Sequence, residues 1–210
     1  MHYRLLLASI AAMTLATATA QAAVIPDGFN AENGGTPTLN YFGFADYTVT
    51  SGSADLIGNG YFDAYTGNGL FVDMAGSTGQ YGAMTTNASF GPGNWLITVG
   101  LGGPIYPLGN GYGVTQDGVH ISWGTGSQDI ILADLTTGTF TIPFTLGSTE
   151  FITVSDLGLS GNANIGATLF GLEVTRDITT ESTPEPATIA LFGAGLAGLG
   201  ARRRRRKAKA

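Results

Sequence analysis

From residue 41 to residue 175 the apolar residues come in short runs. Each run is closed by glycine, asparagine, serine or proline, and none sustains the 3.6-residue period of a helix. A chain punctuated this way cannot bury a helical stripe, so it has to satisfy its backbone by pairing short strands. Glycine accounts for 33 of the 210 residues, which supplies the positive-φ corners that such pairing needs. There is no cysteine, so neither a disulfide frame nor a thiolate metal site is open to it, and stability must come from a packed core.

The runs predict nine or ten strands. Tyr41 to Thr50 and Ala54 to Ile57 flank Ser51-Gly52-Ser53, and Gly69 to Met74, Gln80 to Phe90 and Asn94 to Val99 follow. Then come Tyr112 to Gln116, Val119 to Trp123, Asp129 to Ala133, Thr139 to Leu146, Glu150 to Val154 and Ala167 to Thr175. Residues 23 to 40, with Pro26, Gly28, Asn33-Gly34-Gly35 and Pro37, read as an irregular lead-in. Asn-Gly at 33, 59, 68 and 110 predicts tight two-residue hairpins, hence antiparallel pairing. The fold class is all-β, an antiparallel sandwich.

Both ends of the chain read differently. Met1 to Ala22 has His2 and Arg4, an apolar run from Leu5 to Met13 and a small-residue Ala20-Gln21-Ala22 site, the pattern of a secretory signal peptide over residues 1–22. At the other end Pro184-Glu185-Pro186 holds the chain extended around one carboxylate. Fifteen uncharged residues, 187–201, follow, and then Arg202, Arg203, Arg204, Arg205, Arg206 and Lys207 within a basic tail, 202–210. An uncharged segment stopped by cations predicts a short transmembrane helix whose tail stays in the cytoplasm. At about 1.5 Å per residue it spans about 22 Å of a hydrocarbon layer near 30 Å, so the arginines have to snorkel. Between the two ends, residues 23–183 can build one domain.

That domain is strongly acidic. Residues 23–183 hold one cation, Arg176, against fourteen Asp and Glu, a net charge of −13 that the whole-chain −6 conceals. Nucleic acid is thereby excluded as a partner, since neutralising phosphates takes many Lys and Arg. Its one histidine, His120, excludes a two-histidine metal site. Alternation in Val119-His120-Ile121-Ser122-Trp123 puts His120 and Ser122 on one polar outer face, without a nucleophile elbow. Gly-Asn-Gly at 58, 67 and 109 lacks the spacing of a phosphate loop. Asp63, Asp73, Asp117, Asp129 and Asp134 read as turn residues or solvated charges. Asp63 and Asp73 with loop carbonyls are chemically admissible calcium ligands, although no Asp-x-Asp-x-Asp-Gly loop is present. Trp95 and Trp123 read as packing residues, while Tyr41, Phe42, Tyr61, Phe62, Tyr65, Tyr106 and Tyr112 lie in or beside loops, where rings serve carbohydrate surfaces.

The order Pro-Glu-Pro, short apolar span and arginine cluster resembles the PEP-CTERM sorting signal of Gram-negative bacteria. That resemblance implies export by the Sec machinery, cutting by signal peptidase and transient anchoring in the inner membrane. It further implies recognition of Pro184, Glu185 and Pro186 by exosortase, with the product at the cell surface or in an extracellular, biofilm-type matrix. Asp55 to Thr78, with Gly67-Asn68-Gly69-Leu70-Phe71-Val72-Asp73, resembles a segment of PEP-CTERM ectodomains related to galactose-binding-like jelly rolls. Asn164 to Val174 resembles the closing strand of that fold, with Phe170-Gly171 where the family usually shows Asp-Asn. The resulting expectation is an exported, non-catalytic sandwich that binds polysaccharide and needs no cofactor. The rival expectation is a secreted glycoside- or polysaccharide-active enzyme on the same scaffold, distinguished by two carboxylates converging in one cleft.

Overall fold

The computed structural model describes residues 28–104 and 115–178. The signal peptide, Pro184-Glu185-Pro186, the span 187–201 and the cations Arg202 to Lys207 lie outside the described residues. Among the described residues no helix is long and apolar enough to cross a membrane.

Ten strands of the described residues form two five-stranded antiparallel sheets. One contains β1 (Tyr47–Ser51), β4 (Ala83–Thr86), β9 (Ile152–Asp156), β6 (Gln116–Trp123) and β7 (Gly126–Ala133), in that spatial order. The other runs β2 (Asp55–Gly58), β3 (Leu70–Asp73), β10 (Thr168–Arg176), β5 (Gly93–Gly102) and β8 (Thr137–Leu146). From β3 onward every connection except the β6–β7 hairpin passes from one sheet to the other, the jelly-roll habit that sews two sheets around a shared interior. A single 3-10 turn, Glu32–Gly35, interrupts the lead-in.

Period-2 alternation decides what is buried. On β5, Trp95, Ile97, Val99 and Leu101 point inward; they meet Val119, Ile121, Met84, Ile152 and Val154 of the facing sheet in one continuous core. That core takes all its members from Phe29 to Val174, so the sandwich carries its own stabilising interior. A second, smaller cluster lies on the outer face of the β2–β3–β10 sheet, where Tyr65 and Phe71 are capped by Phe170 at ring separations of 5.1 and 5.5 Å. The Phe170-Gly171 pair therefore supplies an apolar lid. Gly171 sits at a β-bulge against β5 and lets the backbone of Gly28 approach it.

Several sequence expectations need correction. Of the Asn-Gly pairs, 59–60 alone among the described residues makes the expected two-residue turn, with both residues at positive φ and Gly58 and Tyr61 exchanging backbone hydrogen bonds of 2.8 and 3.0 Å. Asn33-Gly34 lies in the 3-10 turn instead, and at 68–69 the glycine alone has positive φ. The β6–β7 hairpin turns on Gly124-Thr125, with Gly124 at φ +46°. Gln116 belongs to one unbroken strand with Val119–Trp123, because Asp117 and Gly118 are buried and continue the ladder with β7. Asp73 and Asp117 are buried side chains rather than solvated charges.

Candidate functional site

The sandwich has two ends. The connections β1–β2, β3–β4, β7–β8 and β9–β10 gather at one, and β4–β5, β6–β7, β8–β9 and the exit from β10 at the other. At the first of these a cleft, open to solvent, is lined by Leu39, Asp55, Ile57, Phe62, Asp73, Ser77 and Asn164.

Strand register builds its floor. Asp55 pairs with Asp73 and Ile57 with Phe71 across β2 and β3, so while Leu56 and Val72 enter the core, both aspartates face outward side by side. They are nevertheless only 5% and 3% exposed, because loops close over them. Asn40, at φ +51°, donates its backbone N–H to Asp55 Oδ1 at 2.6 Å and accepts the Ser77 N–H on its own Oδ1 at 3.0 Å. The Ser77 hydroxyl donates to Asp55 Oδ2 at 2.5 Å. Ala75 N–H donates to Asp73 Oδ1 at 2.9 Å. Burial pushes the Asp73 carboxyl well above the usual carboxylate range, aided by the charges of Asp55 and Asp156 and opposed by the backbone N–H groups of Ala75 and Gly166.

The rim is apolar. Phe62 is 49% exposed and held at φ +49°, a conformation a bulky side chain adopts only when its surroundings impose it. Here the tight 58–61 turn feeds directly into it, and Tyr61 braces the ring edge-on at 4.7 Å. Leu39 and Ile57 complete the wall.

Two acids, Asp117 buried and Asp156 half-buried, hold the fourth wall, the β9–β10 connection. Asp117 accepts backbone N–H bonds from Gly118, Leu159 and Ser160 at 2.7, 3.2 and 3.1 Å, and Asp156 accepts from Gly158 and Ala167 at 2.7 and 2.9 Å. Asn164, in the same connection, accepts the Gly79 N–H at 2.9 Å, which ties it to the β3–β4 loop. Burial and then the neighbouring charge of Asp117 push the Asp156 carboxyl up to about 7. The pattern of the sequence singled out Asp73 and Phe62 but assigned no role to Asp55, Ser77, Asn164 or Asp156. The only available signal was an aspartate at each end of the apolar runs Asp55–Gly58 and Leu70–Asp73.

Other candidates fall elsewhere. His120 and Ser122 do share the outer face of the first sheet, where His120 Nδ1 lies 2.5 Å from Asp129 Oδ1 and Ser122 pairs with Ser127. Beside them Thr85 and Thr153 bond at 2.8 Å, so the face is a ladder of polar pairs. Trp95 is buried, donating its indole N–H to Gly91 O at 2.9 Å, and Trp123 packs on Phe144. Tyr65 belongs to the outer cluster rather than to a free loop, and its hydroxyl donates to Gly103 O at 2.7 Å. Asp63 accepts from Gly60 N–H at 3.0 Å. Among the described residues no group of three or more Asp, Glu or His side chains is placed to hold a metal ion. Tyr106 and Tyr112 lie outside the described residues.

The family comparison decides the other end of the chain: residues 182–206 match the PEP-CTERM protein-sorting motif. The chain carries a PEP-CTERM sorting motif. With it come export and cell-surface sorting by exosortase. Among curated proteins none matches the chain. Solved structures do. The arabinose-bound MgGH51 α-L-arabinofuranosidase is similar at 7% identity over 74% of this chain and 26% of that one, with a TM-score of 0.50. An exo-β-1,3-galactanase from Phanerochaete chrysosporium gives 16% over 66% and 29%, TM-score 0.39. The CBM61 module solved with β-1,4-galactotriose gives 10% over 75% and 99%, TM-score 0.41. The chain spans under a third of the length of the two enzymes. At such identities the likeness is one of fold.

Proposed function

We propose that the protein is an exosortase-sorted surface or matrix component of a Gram-negative cell whose sandwich binds saccharide without cutting it. On this reading residues 1–22 are removed on export, 187–201 anchor the precursor in the inner membrane, and Arg202 to Lys207 hold the tail in the cytoplasm. The observation that carries the binding half is the cleft: an exposed phenyl ring and two aliphatic walls beside the Ser77 hydroxyl and the Asn164 amide, over two buried carboxyls that hold the loops in place. A sugar ring presents the matching surfaces, apolar C–H patches for the ring and hydroxyls for the acceptors. The cleft holds two carboxyls and no cation, while Arg176 is engaged at the other end of the sandwich, so a neutral sugar fits it better than a uronate.

Catalysis would require Asp55 and Asp73 to reach a substrate. Both are buried, and their oxygens are taken by Asn40, Ser77 and Ala75, which supports binding over hydrolysis. Their adjacency is what favours the rival reading of a glycoside hydrolase.

The test is a glycan array probed with residues 23–183, native and as Phe62→Ala. Retention of neutral oligosaccharides by the native domain and its loss in the variant is expected. Turnover of a bound polysaccharide that disappears in Asp55→Asn would overturn the non-catalytic half, and an array with no retained glycan would overturn the binding half.

A further inference from the structure

The chain leaves the sandwich at the end opposite the cleft, and very little chain separates the two ends' functions. β10 begins at Thr168, paired with Asp73 beside the cleft, and runs to Arg176 at the far end, eight steps or about 26 Å. There Arg176 donates to Pro92 O at 2.8 Å and lies 4.8 Å over the Trp95 ring, and Asp177 N–H donates to Asn94 O at 3.0 Å, so the exit point is fixed to β5 and its preceding loop. From Ile178 to Pro184 are six steps, which fully extended cover at most about 22 Å. An enzyme that grips Pro184-Glu185-Pro186 must therefore bring its own bulk against this end of the sandwich.

We propose that this end, formed by the β4–β5, β6–β7 and β8–β9 connections and the β10 exit, is a docking face for the membrane-embedded protein that reads the Pro-Glu-Pro. The proposal rests on the sorting reading above. The face offers apolar contacts suited to such a partner: Phe151, 52% exposed, at the start of β9, and Ile178, 69% exposed, at the exit. Phe151 is held in place by the Phe90–Glu150 bridge, whose two backbone hydrogen bonds measure 2.8 and 2.9 Å. The sandwich then stands end-on during processing, with its cleft directed away and open.

The test follows processing of the full chain in cells that carry the enzyme, reading the cleaved fraction over time by intact mass. Phe151→Asp should slow cleavage several-fold with the melting temperature unchanged. Leu135→Asp, at an exposed position in the β7–β8 connection of the cleft end, should be cut at the native rate. A ten-residue Gly-Ser insertion after Thr179 lets the motif enter the enzyme without contact with the sandwich, so it should restore Phe151→Asp to the rate of the inserted parent. Equal rates for Phe151→Asp and the native chain, or a penalty that persists in the inserted chain, would overturn the docking face. A native chain that is never cut would instead overturn the sorting reading itself.

Discussion

Acidification should stabilise the sandwich, against the usual trend for carboxylate-rich proteins. The group responsible is Asp156, pushed from an ordinary 3.8 up to about 7, first by burial and then by the charge of Asp117. Because the folded state binds this proton more tightly than the unfolded chain does, the folded state holds more protons between pH 3.8 and 7. Stability therefore falls as pH rises through that window. Over the whole window the effect is about 4 kcal/mol at about 1.4 kcal/mol per unit. Between pH 5.5 and 8 the part still in play is about 2 kcal/mol, or about 4–8 °C in Tm for a domain of this size. Asp73, raised by burial, acts in the same direction. The assay is calorimetric melting of residues 23–183 at constant ionic strength, native and as Asp156→Asn. The amide keeps an acceptor for Gly158 N–H but turns a donor toward Ala167 N–H, so the variant should melt lower throughout, with a flatter pH profile. A native Tm that is level or rising from pH 5.5 to 8, or a variant with the native slope, would refute the reasoning.

Phe62→Ala should weaken saccharide binding about ten-fold, about 1.4 kcal/mol, with little change in Tm because the ring is half exposed; titration calorimetry and a melt read the two separately. Leu101→Ala, at a fully buried position of β5, should cost about 2–5 kcal/mol by urea denaturation. Gly52→Ala should cost more than about 1 kcal/mol by the same measurement, because φ is +57° and a Cβ would stand 2.1 Å from the carbonyl oxygen of Tyr81.

The strands were legible because burial on one face imposes alternation. Asn94-Trp95-Leu96-Ile97-Thr98-Val99 alternates imperfectly, as a strand between a core and a partly covered face does, and β5 buries Trp95, Ile97 and Val99 while the residues between them are half-buried. Where both faces are covered the signal fades. All four residues of β2 and all four of β3 are buried, and periodicity does not tell which side of such a run faces the core. Asp73 therefore read as a surface charge, and Asp55 received no role. Turn chemistry was equally local in its reach. Asn59-Gly60 turned as expected, whereas Asn33-Gly34 served a 3-10 turn, because the next segment pairs with β2 through Thr38 and Leu56 rather than folding back on itself. The cleft was not legible, since its walls come from positions 39, 62, 77 and 164, which only the closed sandwich brings together.

The distribution of charge explains why the two ends of this sandwich can do different things. Asp55, Asp73, Asp117 and Asp156 all lie at the cleft end, the first three buried and Asp156 half-buried, each bonded to backbone N–H groups of the loops it holds. Each carboxyl so used fixes a loop that has no regular structure of its own, and a cleft built from the lead-in and three separate connections needs that fixing to keep its shape. The cost is mutual repulsion in a poorly solvated place, which Asp73 and Asp156 relieve by holding their protons at higher pH. At the exit end the one cation of the described residues, Arg176, is used in the same manner, clasping Pro92 and the Trp95 ring so that the last strand is fastened just before the chain leaves. Pulling on the tail therefore loads a strand that is paired with β5 from Thr168 to Arg176.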